Sequence, residues 1–310
     1  MTRFSSSKVA GVFLFLTLIV VLSTSGPVFA SLSHYTPGGF GIRNATMPPP
    51  GLWFIDYSQF YDSDSYKGDN GNTSDTTDVD LSLFINVNLL TWITEKKFLG
   101  ADYGMSVFVL LLNTDLNVNV MGFTTTDDQR FGFGDIFIDP LVLAWHGNRW
   151  DAFLSSGAYL PTGDHDKPAS PGKGYWTFMH QAGGTVYFDA AKTWTASVRG
   201  RFLHSTEDQD TDIRPGNEAI FEYGLGKDIP LKNGSVLTAG VAGYSYIQLT
   251  KDSGPEASNL KAEGHAVGPE LQLTLFKPFF LNVSLRYIQE YEVKNNTKGD
   301  SFCLTFATCF

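Results

Sequence analysis

Hydrophobic and polar residues alternate with a period of two through most of the chain beyond residue 50. The clearest run interleaves Val79, Leu81, Leu83, Ile85, Val87 and Leu89 with Asp80, Ser82, Phe84, Asn86 and Asn88. Successive side chains of a strand point to opposite faces, whereas a helix would scatter these polar residues around its axis. Each such run therefore predicts a strand with one oily and one wet face. Tyr103, Met105, Val107, Val109 and Leu111 likewise oppose Asp102, Gly104 and Ser106. Trp194, Ala196, Val198 and Phe202 oppose Thr195, Ser197, Arg199 and Arg201, and the same holds for Val283, Leu285 and Tyr287 against Ser284, Arg286 and Glu290.

About twelve strands are predicted, at roughly 51–61, 76–93, 98–112, 131–145, 150–161, 175–188, 193–206, 218–228, 235–250, 263–276, 279–293 and 301–310. Their connectors alternate in length. TEKK, HGNR, DAAK, IPLKNG and the pair around KP are short. DSDSYKGDNGNTSD, the stretch 113–130, TGDHDKPASPGKG, EDQDTDIRPGN, KDSGPEASNLKA and KNNTKG are long. An even number of strands, with short turns on one side and long loops on the other, is the layout of an outer-membrane barrel. Trp53, Trp92, Trp145, Trp150 and Trp194 fall at predicted periplasmic strand ends and Trp176 at an external one. Indole rings settle at membrane interfaces, so the six are expected to form an aromatic girdle. A soluble sandwich or lipocalin-like barrel would alternate too, but would leave its connectors unsorted. The expected fold is all-β: an antiparallel transmembrane β-barrel over residues 51–310, in the outer membrane of a Gram-negative bacterium.

The first thirty residues change the picture of compartment. Arg3 and Lys8 precede an apolar stretch from Val9 to Leu22, too short to span a bilayer, and Val28 and Ala30 supply the small residues of a cleavage site. Residues 1–30 are therefore expected to be a signal peptide. Residues 31–50, SLSHYTPGGFGIRNATMPPP, are too rich in proline for a central strand. This leader is expected either to extend in the periplasm with polyproline character or to fold into the lumen as a plug. The formal net charge of −10 becomes more negative once Arg3 and Lys8 are removed, which speaks against a nucleic-acid partner. No later apolar run approaches the ~18 residues of a membrane-spanning helix.

Six histidines offer little for catalysis. Lipid hydrolases built on such barrels place a His and a Ser two apart on one strand face. Two residues after His34, His146, His165, His180, His204 and His265 come Thr36, Asn148, Lys167, Ala182, Thr206 and Val267. No enzyme is expected. Asp208, Asp210 and Asp212 alternate as in a calcium loop, but Ile213 stands where the turn glycine is needed and Ala219 where the bidentate Glu belongs, so no metal site and no cofactor is expected. The external loops could bridge to lipopolysaccharide through divalent cations. Cys303 and Cys309 share a strand face about 20 Å apart, beyond the ~7 Å that a disulfide allows, and are expected as free thiols facing the lumen. On the parity of the final strand, Phe302, Leu304 and Phe306 are expected to face lipid, with Phe310 at the periplasmic rim.

The stretches HYTPGGFGIRNATMPPPGLWF, GDIFIDPLVLAWHGNRWDAF, YLPTGDHDKPASPGKGYWTF and TDIRPGNEAIFEYGLGKDI resemble the outer-membrane family of meta-pathway of phenol degradation proteins, the SphA-like transporters. The resemblance spans nearly all of the chain beyond residue 30. It implies a barrel associated with uptake of aromatic or other hydrophobic compounds and supplies no catalytic residue. A terminal aromatic such as Phe310 similarly resembles the signal read by the outer-membrane assembly machinery.

Strand parity assigns Asp80, Asn86, Asn88, Arg199, Arg201, Glu222, Glu270, Arg286 and Glu290 to the lumen, together with the aromatics Phe84, Phe108 and Phe137. Mixed charges in a narrow barrel either form ladders that fill and rigidify the interior or hold the walls of a constricted passage. Open aqueous channels typically have ~16 to 18 strands, so about twelve favours a selective conduit. The expected function is passive uptake of small hydrophobic, aromatic compounds through the outer membrane. The alternative is a non-transporting barrel whose surface binds a partner.

Overall fold

A computed structural model describes residues 33–255 and 257–310; the expected signal peptide lies outside the described residues. Thirteen strands follow in chain order. They are β1 (Gly51–Lys67), β2 (Thr77–Phe98), β3 (Ala101–Val120), β4 (Phe123–Phe133), β5 (Ile136–His146), β6 (Trp150–Leu160), β7 (Thr177–Tyr187), β8 (Trp194–Ser205), β9 (Glu218–Pro230), β10 (Val236–Gln248), β11 (Glu263–Leu275), β12 (Leu281–Lys294) and β13 (Asn296–Cys309). All pairings are antiparallel. β1 pairs with β2 on one side and β13 on the other, so the sheet closes and no edge is left to seek a partner.

The wall has twelve strands because β4 and β5 are one strand interrupted at Gly134–Asp135. The lower half of β3 pairs with β5 and its upper half with β4. The stretch 113–130, expected as a long external loop, is thus mostly ladder. β3 continues to Val120, turns at Met121 and Gly122 with φ of 52° and 81°, and returns as β4. Two consecutive positive φ values mark a tight hairpin turn whose twist matches the strands. Its outward residues are polar, among them Asp115, Asn117 and Asn119, which alternate with the inward Leu116 and Val118, while β4 from Thr124 to Arg130 carries no apolar face and so looks like loop.

Residues 33–50 run down inside the barrel. They form no strand or helix but a chain of turns, with Asn44 N donating to Gly41 O at 3.1 Å and Thr46 N to Arg43 O at 3.0 Å. His34 meets Asp135 and Thr177 in the upper half, and Thr46 meets Asp151 and Thr185 near the periplasmic turns. Of the two expectations for the leader, its described part takes the lumenal position.

Candidate functional site

The lumen has two unlike walls. On β7 to β12 it is polar and charged. The Arg201 guanidinium pairs with Glu222 and its Nε donates to Gln181 Oε1 at 3.0 Å. Arg286 pairs with Glu270 at 3.0 Å. All four charged side chains are essentially inaccessible to solvent. Buried pairs of this kind are stabilised by further partners for their remaining donors and acceptors, and here the inner segment supplies most of them, while Arg201 Nη2 makes no hydrogen bond. Glu222 accepts from Tyr35 Oη at 2.9 Å and Gly38 N at 3.0 Å. Glu270 accepts from Ile42 N at 2.8 Å. Arg286 donates to Gly38 O at 3.1 Å and Gly39 O at 2.7 Å. Arg199 and Arg201 also lie over aromatic rings, Arg199 at 4.2 Å from those of Phe40 and Phe153, and Arg201 at 4.1 Å from that of Tyr35. Gly41 passes so close to the Arg286–Glu270 pair that a Cβ there would collide with both side chains.

At the upper end the segment is fixed by Asp135, in the break between β4 and β5. Its carboxylate accepts from the backbone of Thr162 and Gly163 at 2.8 Å and of Lys173 at 2.9 Å, and from His34 Nε2 at 2.7 Å. Burial outweighs the neighbouring carboxylate and holds His34 below the ordinary imidazole value. The neutral ring then donates from Nε2 to Asp135 and accepts at Nδ1 from the Thr177 hydroxyl at 2.8 Å. Burial likewise lowers the Lys173 ammonium. At the lower end Arg43 pairs with Asp228 at 2.5 Å.

The opposite wall, β1 to β3, is apolar inside. Leu81, Leu83, Ile85 and Val87 of β2, with Phe108, Leu110, Leu112 and Leu116 of β3, face the inner segment across open space. A cavity of about 150 Å³ lies between these leucines, residues 33–37 and the loop around Pro168–Pro171. A second, of about 60 Å³, continues beside Phe40, Tyr57 and Tyr159. The polar corner of the larger chamber is formed by Tyr61 and Tyr244, which both donate to Glu290, at 3.1 and 2.7 Å.

Of the residues assigned to the lumen by parity, Phe108, Phe137, Arg199, Arg201, Glu222, Glu270, Arg286 and Glu290 lie on its inner face. Asp80, Phe84, Asn86 and Asn88 do not. Phe84, Asn86 and Asn88 stand opposite Phe60, Ser58 and Asp56 of β1, and Asp80 opposite Asn117 of β3, all on the outer face, and it is the leucine parity of β2 that turns inward. Equating oily with lipid-facing fails here because the chamber is itself apolar. Trp92, Trp145, Trp150, Trp176 and Trp194 sit on the outer surface near strand ends, but Trp53 is 8% exposed, points inward and donates to Pro49 O at 2.9 Å. It therefore closes the floor of the lumen and is no part of a girdle. Cys303 and Cys309 are free, and the Cys303 thiol meets Gly38 O at 3.6 Å.

A Ser–His contact also arises across strands, created by register rather than by spacing along one strand. Ser156 stands opposite His180, with Oγ 2.8 Å from Nδ1 on the outer surface, and His180 stacks on His204. The backbone around it is committed to the ladder, which leaves no pair of amides to receive an oxyanion. Among the described residues no group of three or more His, Cys, Asp or Glu is placed to hold a metal ion.

With this geometry in hand, the chain can be set beside known proteins. The COG4313 outer membrane channel from Pseudomonas putida F1 is similar in structure, with a TM-score of 0.62 and 14% identity over 89% of this chain and 100% of that one. The β domain of the Bordetella autotransporter Brka aligns with a TM-score of 0.44 and 14% identity over 84% of this chain and 99% of that one. No curated protein matches the sequence. The chain is thus an outer-membrane type of closed twelve-stranded barrel, and, since the family model described as "Putative MetA-pathway of phenol degradation" matches residues 63–306, it belongs to that family.

Proposed function

We propose that this barrel admits small hydrophobic, aromatic compounds passively through the outer membrane. The observation that carries this reading is the leucine wall of β2 and β3, which lines a chamber inside the barrel rather than facing lipid. A cavity of about 150 Å³ is the size that accepts a benzene ring, and the leucines of β2 and β3 give it one aliphatic side. The tyrosines and Glu290 at its corner would accept a single polar substituent. The charged wall opposite has a different part: it holds residues 33–50 in place, so that one side of the lumen is rigid while the other stays open to an apolar solute. Similarity to a protein described as an outer membrane channel and membership of a family named for phenol degradation support the same reading. Contacts of the external loops with lipopolysaccharide, and of Phe310 with the assembly machinery, belong to this proposal too.

The test is uptake of radiolabelled toluene and arabinose by vesicles with a lipopolysaccharide outer leaflet, with and without the folded barrel. Toluene uptake should be faster with the protein, saturable, and lost when Leu83, Leu110 and Leu112 are all changed to Asn. Equal toluene uptake with and without the protein would refute it.

A further inference from the structure

The outer surface of β1 and β2 carries a polar island. Asn86 Nδ2 donates to Asp56 Oδ2 at 2.7 Å and to Ser58 Oγ at 2.9 Å, and Asn88 Nδ2 donates to Asn86 Oδ1 at 2.6 Å. Apolar side chains surround it. Phe54 and Leu90 lie below and the paired rings of Phe60 and Phe84, 4.7 Å apart, above. Val109 and Leu111 flank it on β3, and Leu304 and Phe306 on β13.

Depth follows from the register. Trp92, opposite Leu52, marks the periplasmic interface, and the Phe60–Phe84 pair lies eight residues higher on each strand. Strands tilted about 40° gain roughly 20 Å over that length, so the island sits within the hydrocarbon layer. On the far wall the outward residues Val198, Leu225, Val241 and Leu271 are apolar, and the outward Ser156 and His180, nearer the external Trp176, bond one another. A carboxylate and two amides facing lipid tails would find no further hydrogen-bond partner there, which is why polar groups at this depth are covered by protein.

We infer that this face is an interface between two copies of the chain within the membrane. After bonding Asn86, Asn88 keeps a carbonyl oxygen and one N–H. Donor and acceptor on a single group are what a two-fold contact requires, because the same group of the second copy supplies the complement. Lipid tails offer neither, and lipid headgroups lie beyond the Trp92 and Phe60–Phe84 bands. The Asp56 charge is already met by donors of its own chain, so two copies can approach without leaving a bare carboxylate between them.

The test is performed on the full chain in lipid, with Cys303→Ser and Cys309→Ser as background. Val109→Cys, beside Asn88 on the same face, should form a covalent dimer on mild oxidation, whereas Val198→Cys, on the opposite wall, should not. Native mass spectrometry from nanodiscs should show wild-type dimers and, for Asn88→Val, a loss of dimer of about tenfold at equal protein-to-lipid ratio. Cross-linking at position 198 equal to that at 109, or a wild-type barrel monomeric at every ratio, would overturn the inference. So would a lipid or a different protein found on this face in place of a second copy. Should Asn88→Val fail to fold, the pair of cysteine variants decides.

Discussion

Two walls of one barrel, β1 to β3 and β7 to β12, are built from the same alternating strands yet turn opposite faces inward. On β8, β9, β11 and β12 the polar parity points in and pairs its charges with residues 33–50, while Val198, Phe221, Leu271 and Leu285 face out. On β2 the leucines point in and Asp80, Asn86 and Asn88 point out. The difference teaches that parity defines two faces but not which is lumenal. That depends on what fills the lumen beside each strand: a hydrogen-bonding segment on one side, an apolar chamber on the other.

If the charged wall is the rigid half, breaking it should have the largest effect. Glu222→Leu leaves the Arg201 guanidinium buried without its carboxylate and should cost about 3–5 kcal/mol, read as a lower temperature for loss of the compact band in unboiled gel samples. A change confined to the neighbourhood of Tyr35, with the barrel otherwise intact, would mean that the pair serves the inner segment alone.

Leucines on the two sides should differ next. Leu203 is fully buried, and Leu203→Ala should cost about 2–5 kcal/mol. Leu83→Ala, on the chamber wall where space already exists, should cost less than about 2 kcal/mol in the same unfolding measurement. Equal losses would show that the chamber is closed.

Within the inner segment the same contrast is sharpened by two glycines. Gly41→Ala drives a methyl group into the Arg286–Glu270 pair and should destabilise by about 1–3 kcal/mol. Gly39→Ala meets only the Tyr35 hydroxyl, at 3.9 Å, and should be nearly neutral. Unfolding temperatures of the two variants check this.

Acidification should have the mildest and most local effect. Because burial lowers the His34 value below that of the unfolded chain, the unfolded form takes up the proton first. The contribution of neutral His34 is therefore complete above the ordinary imidazole value of about 6.5 and is lost as pH falls below it. Asp135, which faces the ring, and Lys173 beside it modulate the loss. A spin label at Thr36 should gain mobility between pH 7.5 and 5.5, and His34→Gln should abolish that dependence; equal gains in both would assign the effect to another group.

Much of this was legible in the chain itself. Alternation of side chains placed the strands of the wall, because a period of two puts successive side chains on opposite faces. Connector lengths separated the two ends of the barrel except at 113–130 and at KNNTKG, where β12 and β13 meet across Asn295 alone. Arg199, Arg201, Glu222, Glu270 and Arg286 could be placed inside because charges so numerous on one parity are too costly in lipid. Asn113 to Arg130 carried a strand signal in Leu116, Val118 and Val120 alternating with Asp115, Asn117 and Asn119, but the returning strand from Thr124 to Arg130 has no apolar face and hides the hairpin. Trp53 belonged to the lumen floor through a backbone contact at Pro49 that no spacing announces. The sequence by itself determined a closed barrel of alternating strands, since alternation gives each strand two unlike faces and the sorting of connectors separates this layout from a soluble sandwich. Only the tertiary structure decided which face of β2 looks inward, because that choice is made by the neighbours a strand acquires when the sheet closes around residues 33–50.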